Sequence, residues 1–334
     1  MPSSRLSFTD KASLLSAFKS LARARGQALD DAVDAMYHAD AKWYGSHPIN
    51  ELQGVDAIGG VWHDLLASFP DVERRDQIFL TGESHDKQFV AAVGIYQANF
   101  ARDWLGVPAT NGVAHLRYGE VHHLEDGRIK ATYALWDVLD LLRQSGIWPV
   151  VPSLGAELAW PGPATGDGLR LGEDDKQTSQ RSIDLVHAMH QGLFLYDGKD
   201  LESMQQDKYW TKDFLWYGPA GIGTVRGMTA YRAYHQGPFL KAFPDRHGPG
   251  HYIDMGCGPY AVTGGWPSVA ATHTGPDWLG LAATGKPVAM RVMDFYRLED
   301  GLVAENWIPL DIIDALLQLG TDVLARVAEL RGAK

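Results

Sequence analysis

The chain repeats itself at long range. "FPD" stands at residues 69–71 and 243–245, "DWLG" at 103–106 and 277–280, and "LEDG" at 124–127 and 298–301, each pair 174 residues apart. Residues 69–146 therefore align on 243–320 without an insertion. "WYG" recurs at 43–45 and 216–218, a spacing of 173, one residue off that register. Solenoid periods are far shorter, so a repeat of this length means duplicated domains. Residues 151–180, rich in Pro, Gly and charge, read as connecting chain. The expected organisation is a first domain at 8–150, a linker at 151–180 and a second domain at 181–334.

Composition narrows what such domains do. The chain is 45% hydrophobic and 21% charged, enough to bury ordinary cores. Its net charge of −11, from 30 basic and 41 acidic residues, repels phosphate backbones and anionic lipid, and no Lys/Arg cluster offsets it. Nucleic acid is thus not an expected partner. A single cysteine, Cys257, forms no intrachain disulfide and no Cys-rich metal site. No run is apolar and long enough to span a membrane, and the N-terminal stretch lacks a signal-peptide core. The expectation is a cytoplasmic protein with no membrane partner.

The coarse pattern repeats too. "KASLLSAFKSLARA" and "SIDLVHAMHQGLFLYDG" carry helical apolar spacing. "LDDAVDAMYHADAKWYG" and "LESMQQDKYWTKDFLWYG" read as a helix running into a strand, and third helices stop before Pro70 and Pro244. Alternating strands and turns then lead to a terminal helix. Helices first and antiparallel strands later predict an α+β fold in each copy.

Asp300-Gly301 between alternating strands is a two-residue hairpin signal. With that turn and strict alternation, Tyr296 pairs with Glu305 and Asp294 with Trp307. One face then carries Val292, Asp294, Tyr296, Glu305 and Trp307 and leads to Asp311. The equivalent face of the first copy carries Tyr118, Glu120, His122 and Tyr133 and leads to Asp137. Carboxylates on an apolar, aromatic face are disfavoured as anions, so their pKa rises and they exchange protons near neutrality. A second reading exists for Asp311 and Asp137. Each stands where a helix N-cap belongs, with Asp314 or Asp140 three residues on. A capping aspartate is stabilised as the anion and needs no chemistry.

Taken together, these residues resemble the SnoaL-like polyketide cyclase family of the nuclear-transport-factor-2-like superfamily. The second copy carries the resemblance in "FPD", "VAATHTGPDWLGLAATGKPV" and "DFYRLEDGLVAENWIPLDIIDALLQLG". His273, Gly285, Lys286, Tyr296, Arg297, Asp300, Gly301, Glu305, Trp307, Asp311 and the closing Gln318-Leu319-Gly320 stand at matching positions. The first copy keeps Asp126, Gly127, Asp137, Gln144 and Gly146 but has Asn99 for His273 and Tyr133 for Trp307.

The resemblance implies two tandem cone-shaped (cystatin-like) domains, each a curved antiparallel sheet whose helices close a pocket. It implies cofactor-free acid/base chemistry on a hydrophobic carbonyl compound: aldol cyclisation, isomerisation, or hydration and dehydration. Asp311 is the expected general acid/base, with Asp294 and His273 beside it. Tyr296, Trp307, Glu305 and Trp216 would bind substrate in the second pocket, and Asp137, Glu120, His122 and Tyr133 in the first. The expected partner is a small hydrophobic molecule, with the two domains forming an intrachain pseudo-dimer and homo-oligomerisation left open. The rival reading is a non-catalytic protein that binds a small apolar ligand. No metal is expected, since His187 and His190 in "HAMH" lack a third suitably spaced ligand. "GIGTVRG" lacks the spacing of a dinucleotide fingerprint, and no Gly-x-Ser-x-Gly nucleophile elbow occurs.

Overall fold

Asp10 accepts a hydrogen bond from the Ser13 amide at 3.0 Å and starts helix α1 (Lys11–Arg23), which turns Leu14, Phe18 and Leu21 inward. Helix α2 (Gln27–Met36) follows and runs directly into strand β1 (Tyr37–Gly45). After β2 (Glu51–Gln53) and helix α3 (Val55–Ser68) come four strands: β3 (Glu73–Ser84), β4 (Lys87–Asn99), β5 (Val113–Glu125) and β6 (Arg128–Trp136). Helix α4 (Val138–Gln144) ends the first copy. The second copy repeats the plan with α5 (Lys176–Leu193), β7 (Trp210–Tyr217), β8 (Val225–Arg226), α6 (Gly227–Tyr231), α7 (Gly237–Ala242), β9 (Ile253–Cys257), β10 (Tyr260–Thr272), β11 (Pro287–Glu299), β12 (Leu302–Trp307) and α8 (Ile312–Gln318), and α9 (Val323–Gly332) closes the chain.

The computed structural model describes residues 6–332 and separates into two units. The first holds the chain to Trp148 with Pro161–Glu173 and the residues from Leu324; the second holds Pro149–Trp160 and Asp174–Val323. The stretch expected to be a linker is thus built into the units piece by piece. Leu169 bridges Phe79 in the first unit, and Trp160 is buried in the second, its indole N–H donating to the Gly218 carbonyl at 3.1 Å.

Each unit contains one six-stranded sheet, in the order β2-β1-β6-β5-β4-β3 and β8-β7-β12-β11-β10-β9. The sheets are mixed and not wholly antiparallel as expected: β1 runs parallel to β6, and β7 to β12. A parallel neighbour needs a crossover connection, which the intervening helix and strands supply. The units are two tandem α+β cones of the nuclear-transport-factor-2-like kind.

The predicted hairpin turn is present, but its register differs. Asp300 (φ 50°) and Gly301 (φ 76°) take the left-handed conformations of a type I′ turn, and Glu299 pairs with Leu302. Beyond Leu298–Val303 the pairing shifts, so Arg297 faces Glu305, Tyr296 faces Asn306 and Phe295 faces Trp307. Ala304 is an extra residue, a β-bulge, and it turns every later side chain of β12 to the other face. The first copy has the same bulge at Lys130, putting Tyr133 opposite Val121. Glu305, Trp307 and Tyr133 are therefore not on the face of Asp294 and Glu120, as strict alternation placed them. Asn306 and Thr132 are.

A second irregularity accounts for the slip from 173 to 174. Gly54 (φ 94°) precedes α3 and Gly227 (φ 71°) begins α6, 173 residues apart. The helices end at Phe69 and Phe243, 174 apart. The second copy has one more residue inside the helix. Arg232–Gln236 absorb it as a π turn, with the Gly237 amide bonded five residues back to the Arg232 carbonyl.

Candidate functional site

The inner face of the second sheet forms the floor of a cavity of about 340 Å³. Its walls are aromatic at one end, with Trp210, Trp216, Tyr231, Phe239 and Trp278. At the other end stand His190, His251, Asp294, Tyr296 and Asn306. Two features of local sequence open this space. Where the first copy reads "VERRD" and extends β3, the second reads "RHGPGH", and the strand does not begin until Ile253. The π turn in turn sets His235 flat against Trp216, ring centroids 4.2 Å apart.

Asp294 lies in the middle of β11 between Val292 and Tyr296, half-buried, with its exposed surface in the cavity. Burial pushes its carboxyl up to about 6, against the opposing pull of the His251 charge and of contacts with the Asn306 amide and the Tyr296 hydroxyl. Tyr296 is itself raised by burial and by the Asp294 charge, so its phenol stays protonated. It shares a 2.9 Å hydrogen bond with His190 Nε2. Helix α5, capped by Asp175 at its start, presents His190 here among the buried Val186 and Met189. Burial, with the nearby His251 and His187, drives His190 down to about 3, so it is neutral at physiological pH. His235 is likewise held neutral by burial, at about 3.

His251 differs from these histidines. Its Nδ1 donates to Asp254 Oδ1 at 2.9 Å, and Nε2 lies 3.4 Å from Ser268 Oγ on the cavity wall. Asp254 also accepts from His187 Nε2 at 3.0 Å. Burial works against the His251 charge, but the Asp254 hydrogen bond and the Asp254 and Asp294 charges outweigh it and raise its pKa. A carboxyl near neutrality and a carboxylate-backed imidazole thus face one cavity. That pairing is suited to taking a proton at one point of a bound molecule and giving one at another.

Sequence reasoning brought only part of this together. Of the residues singled out in the second copy, Asp294, Tyr296 and Trp216 line the cavity. Asp311 does not. It caps α8, accepting from the Asp314 amide at 3.1 Å, and pairs with Arg291 at 3.2 Å on the opposite face of β11. His273 is buried against Phe243, with Nδ1 3.1 Å from Thr284 Oγ1, and clamps the loop to Lys286 rather than entering the cavity. Glu305 lies behind the sheet, bonded to Arg297 and, at 3.1 Å, to the Tyr217 hydroxyl; Trp307 stacks on Tyr217 beside it. His251, His190 and Asn306 also line the cavity and had been given no site role. Asn306 was hidden by the bulge, and the histidines sit on an irregular loop and a helix that only the fold brings to the sheet.

In the first unit the equivalent space is filled. Glu120, 174 residues before Asp294, accepts from Arg74 Nη1 at 2.6 Å, Tyr96 Oη at 2.8 Å and Trp136 Nε1 at 2.9 Å. His122 donates or accepts with Thr132 Oγ1 at 2.9 Å and packs on Phe18. Glu120 and His122 are 0% and 1% exposed, enclosed in packing and not lining an opening as expected for substrate binding. Tyr133 stacks on Tyr44 across the sheet, and Asp137 caps α4 and pairs with Arg117. Among the described residues, no three His, Cys, Asp or Glu side chains converge as metal ligands, and no helix is long and apolar enough to cross a membrane.

The family described as SnoaL-like polyketide cyclase matches residues 185–319, and the SnoaL-like domain family matches residues 19–132. No curated protein matches the chain. Similar solved structures include a protein provisionally designated a SnoaL-like polyketide cyclase from Jannaschia sp. CCS1, 15% identical, covering 42% of this chain and 92% of its own, TM-score 0.35. IdmH from Streptomyces antibioticus, provisionally a polyketide cyclase, is 17% identical over 41% of this chain and 99% of its own, TM-score 0.34. A nuclear-transport-factor-2-like protein from Burkholderia xenovorans LB400 is 16% identical over 42% and 98%, TM-score 0.33. Each half of the chain is matched by its own family description, at different positions, and the chain is a tandem duplication of SnoaL-like domains.

Proposed function

We propose that the second unit is a cofactor-independent acid/base catalyst acting on an apolar carbonyl compound. Asp294, mostly ionised at pH 7, takes a proton from the carbon next to the carbonyl. His251, whose protonated form Asp254 favours, gives a proton from Nε2 to the carbonyl oxygen, and the product of the two transfers is the enol. From there the carbon adds to a second carbonyl of the same molecule, or is reprotonated elsewhere, according to the substrate. The observation that supports this reading is the placement of Asp294: an acid raised to about 6 by burial, in one cavity with an imidazole whose pKa a bonded carboxylate raises. The first unit, with its acid neutralised by Arg74, serves as scaffold.

Proton abstraction is testable without the natural substrate. 2-Tetralone in D2O exchanges its α-protons, and ¹H NMR reads the rate. The wild-type chain is expected to accelerate exchange over buffer, and Asp294→Asn to lose about 10²- to 10⁴-fold of that acceleration. Equal exchange by the variant removes Asp294 from the role. Saturable binding with no acceleration by wild type assigns the unit to ligand binding alone.

A further inference from the structure

Beside the cavity lies a second hollow of about 310 Å³. The two share three wall residues, Ile222, His235 and Trp278. The outer hollow is lined on one side by Val151, Pro152 and Leu154, from the stretch expected to be a linker, and on the other by Tyr234, Pro238 and Leu279. Its one charged side chain, Asp277, is held by Lys241 at 2.8 Å. We propose that this outer chamber is a substrate subsite that takes the alkyl or aryl extension of a carbonyl compound whose reactive head lies in the inner cavity. The inference rests on the reading of the inner cavity and adds to it the shape of the substrate: a polar head against Asp294 and His251, an aromatic waist, and an apolar tail.

Three independent observations support the subsite. First, the side formed by residues 151–154 is fixed by backbone pairing. The Gly155 amide donates to Ile222 O at 2.9 Å, and Ala156 and Thr224 exchange hydrogen bonds at 2.9 and 2.8 Å. The strand-like contact is so close that a Cβ on Gly155 would lie 2.7 Å from Gly223 C, and one on Gly223 2.5 Å from Gly155 C. Glu157 accepts from the Gly221 amide at 2.8 Å, and the buried Trp160 anchors the end of the strap. The strap is therefore tied down immediately after the residues that form that side. Second, three apolar side chains with exposed surface converge on the chamber: Val151, Leu154 and Tyr234 are 43%, 56% and 44% exposed. Scattered exposed apolar residues are unremarkable, but three converging on one hollow mark a place where apolar surface is meant to be covered. Third, the π turn sits on the partition. It presents His235 to both chambers and the adjacent Tyr234 to the outer one, and such turns recur at functional positions. The two hollows share Ile222, His235 and Trp278, and the proposed ligand spans both by passing these side chains.

Phenyl n-alkyl ketones from acetophenone to decanophenone test this by isothermal titration calorimetry on the full chain. Affinity is expected to rise by up to about fourfold per methylene once the tail passes His235, then to level off when the chamber is full. Leu154→Glu, at an exposed position with an unchanged melting temperature expected, should flatten that slope. Tyr234→Asp should do the same from the opposite wall. The slope is expected to survive Asp294→Asn, so failure of the subsite and failure of the proton chemistry are separately readable. A chain-length dependence absent in wild type, or unchanged from wild type in both outer-chamber variants, overturns the proposal. A wild-type dimer in light scattering that Leu154→Glu dissociates, with no chain-length dependence, assigns the face to a second copy and also overturns it.

Discussion

Arg74 Nη1 lies 2.6 Å from Glu120 Oε2 in the first unit; at the same register of the repeat the second unit has Gly248 and Asp294. One substitution pair thus separates two fates of the same inward acid. Burial raises a carboxyl, but Arg74 overrides it and holds Glu120 well below the usual carboxylate range. Asp294, without that cation, is left near 6. Glu120→Gln leaves a buried guanidinium with only Asp76 to balance it, at 2.9 Å. The expected loss is about 3 kcal/mol at pH 7, read by urea unfolding. Glu120 has a depressed pKa, so its stabilisation is present above the unfolded value, about 4.3, and fades as pH falls below it. The gap between wild type and variant should shrink in acid.

Asp294 has the opposite sign. Its folded pKa is raised, so both states are protonated below the unfolded value of about 3.9 and the residue is then neutral to stability. As pH rises from there to about 6, the unfolded chain releases the proton while the folded one retains it, and the fold is progressively destabilised. Asp294→Asn should therefore stabilise the protein at pH 7 by roughly 2 kcal/mol and much less at pH 4. Thermal melts at the two pH values check it. A variant that is more stable and inactive marks strain retained for function.

The Asp254 carboxylate sets the other limb. With Asp294 as base and His251 as acid, kcat/KM rises through about 6 and falls when His251 loses its proton. Asp254 and Asp294 both favour the His251 charge, while burial opposes it and His190 stands nearby, neutral. Asp254→Asn removes the larger of the two favourable influences. The alkaline limb should move to lower pH while the acid limb stays near 6. A merely structural role for Asp254 predicts lower activity with both limbs in place.

Asp311 serves as the contrast. Its carboxylate caps α8 and pairs with Arg291, which also lies over the Trp266 ring. Asn is as good an N-cap as Asp, so Asp311→Asn keeps the cap and weakens a buried ion pair whose Arg291 retains Asp314 at 3.5 Å, a loss of about 1 to 3 kcal/mol. Turnover in the exchange assay is expected to match wild type. A large loss of rate with the fold intact returns Asp311 to the chemistry.

What could be read from the sequence followed from local rules. The 174-residue repeat, the Asp-Gly turn and the capping geometry of Asp137 and Asp311 each depend on a few adjacent residues. Asp294 and Tyr296 were placed on the inner face because β11 alternates without interruption up to Leu298. The assignments for Glu305, Trp307 and Tyr133 fell on the far side of a bulge, and nothing in "LVAENW" or "RIKATYALW" marks Ala304 or Lys130 as the unpaired residue. His251 was given no site role for a different reason. It comes from a Pro/Gly-broken loop with no period to give it a face, and its Asp254 partner acquires meaning only once β9 is placed.

The π turn makes one more consequence measurable. The slip from 173 to 174 was present in the sequence, and the structure locates the extra residue between Arg232 and Gln236. Deleting Ala233, which is exposed, removes that residue and allows the helix to run as α3 does in the first unit. Each residue advances an α-helix by about 100° and 1.5 Å, so residues on one side of the deletion are rotated relative to those on the other. Phe239 and Phe243, tied to the core, hold His235 and the rest of the C-terminal side in place, so the rotation falls on the residues before the deletion and Tyr231 loses its packing on Trp216. The first unit accommodates the shorter helix, so the fold is expected to persist, with a melting temperature within a few degrees of wild type. Ligand affinity should fall more than about tenfold, since Tyr231 forms part of the aromatic wall of the inner cavity. Retained affinity in the deletion variant disposes of the π turn as the element that shapes the site.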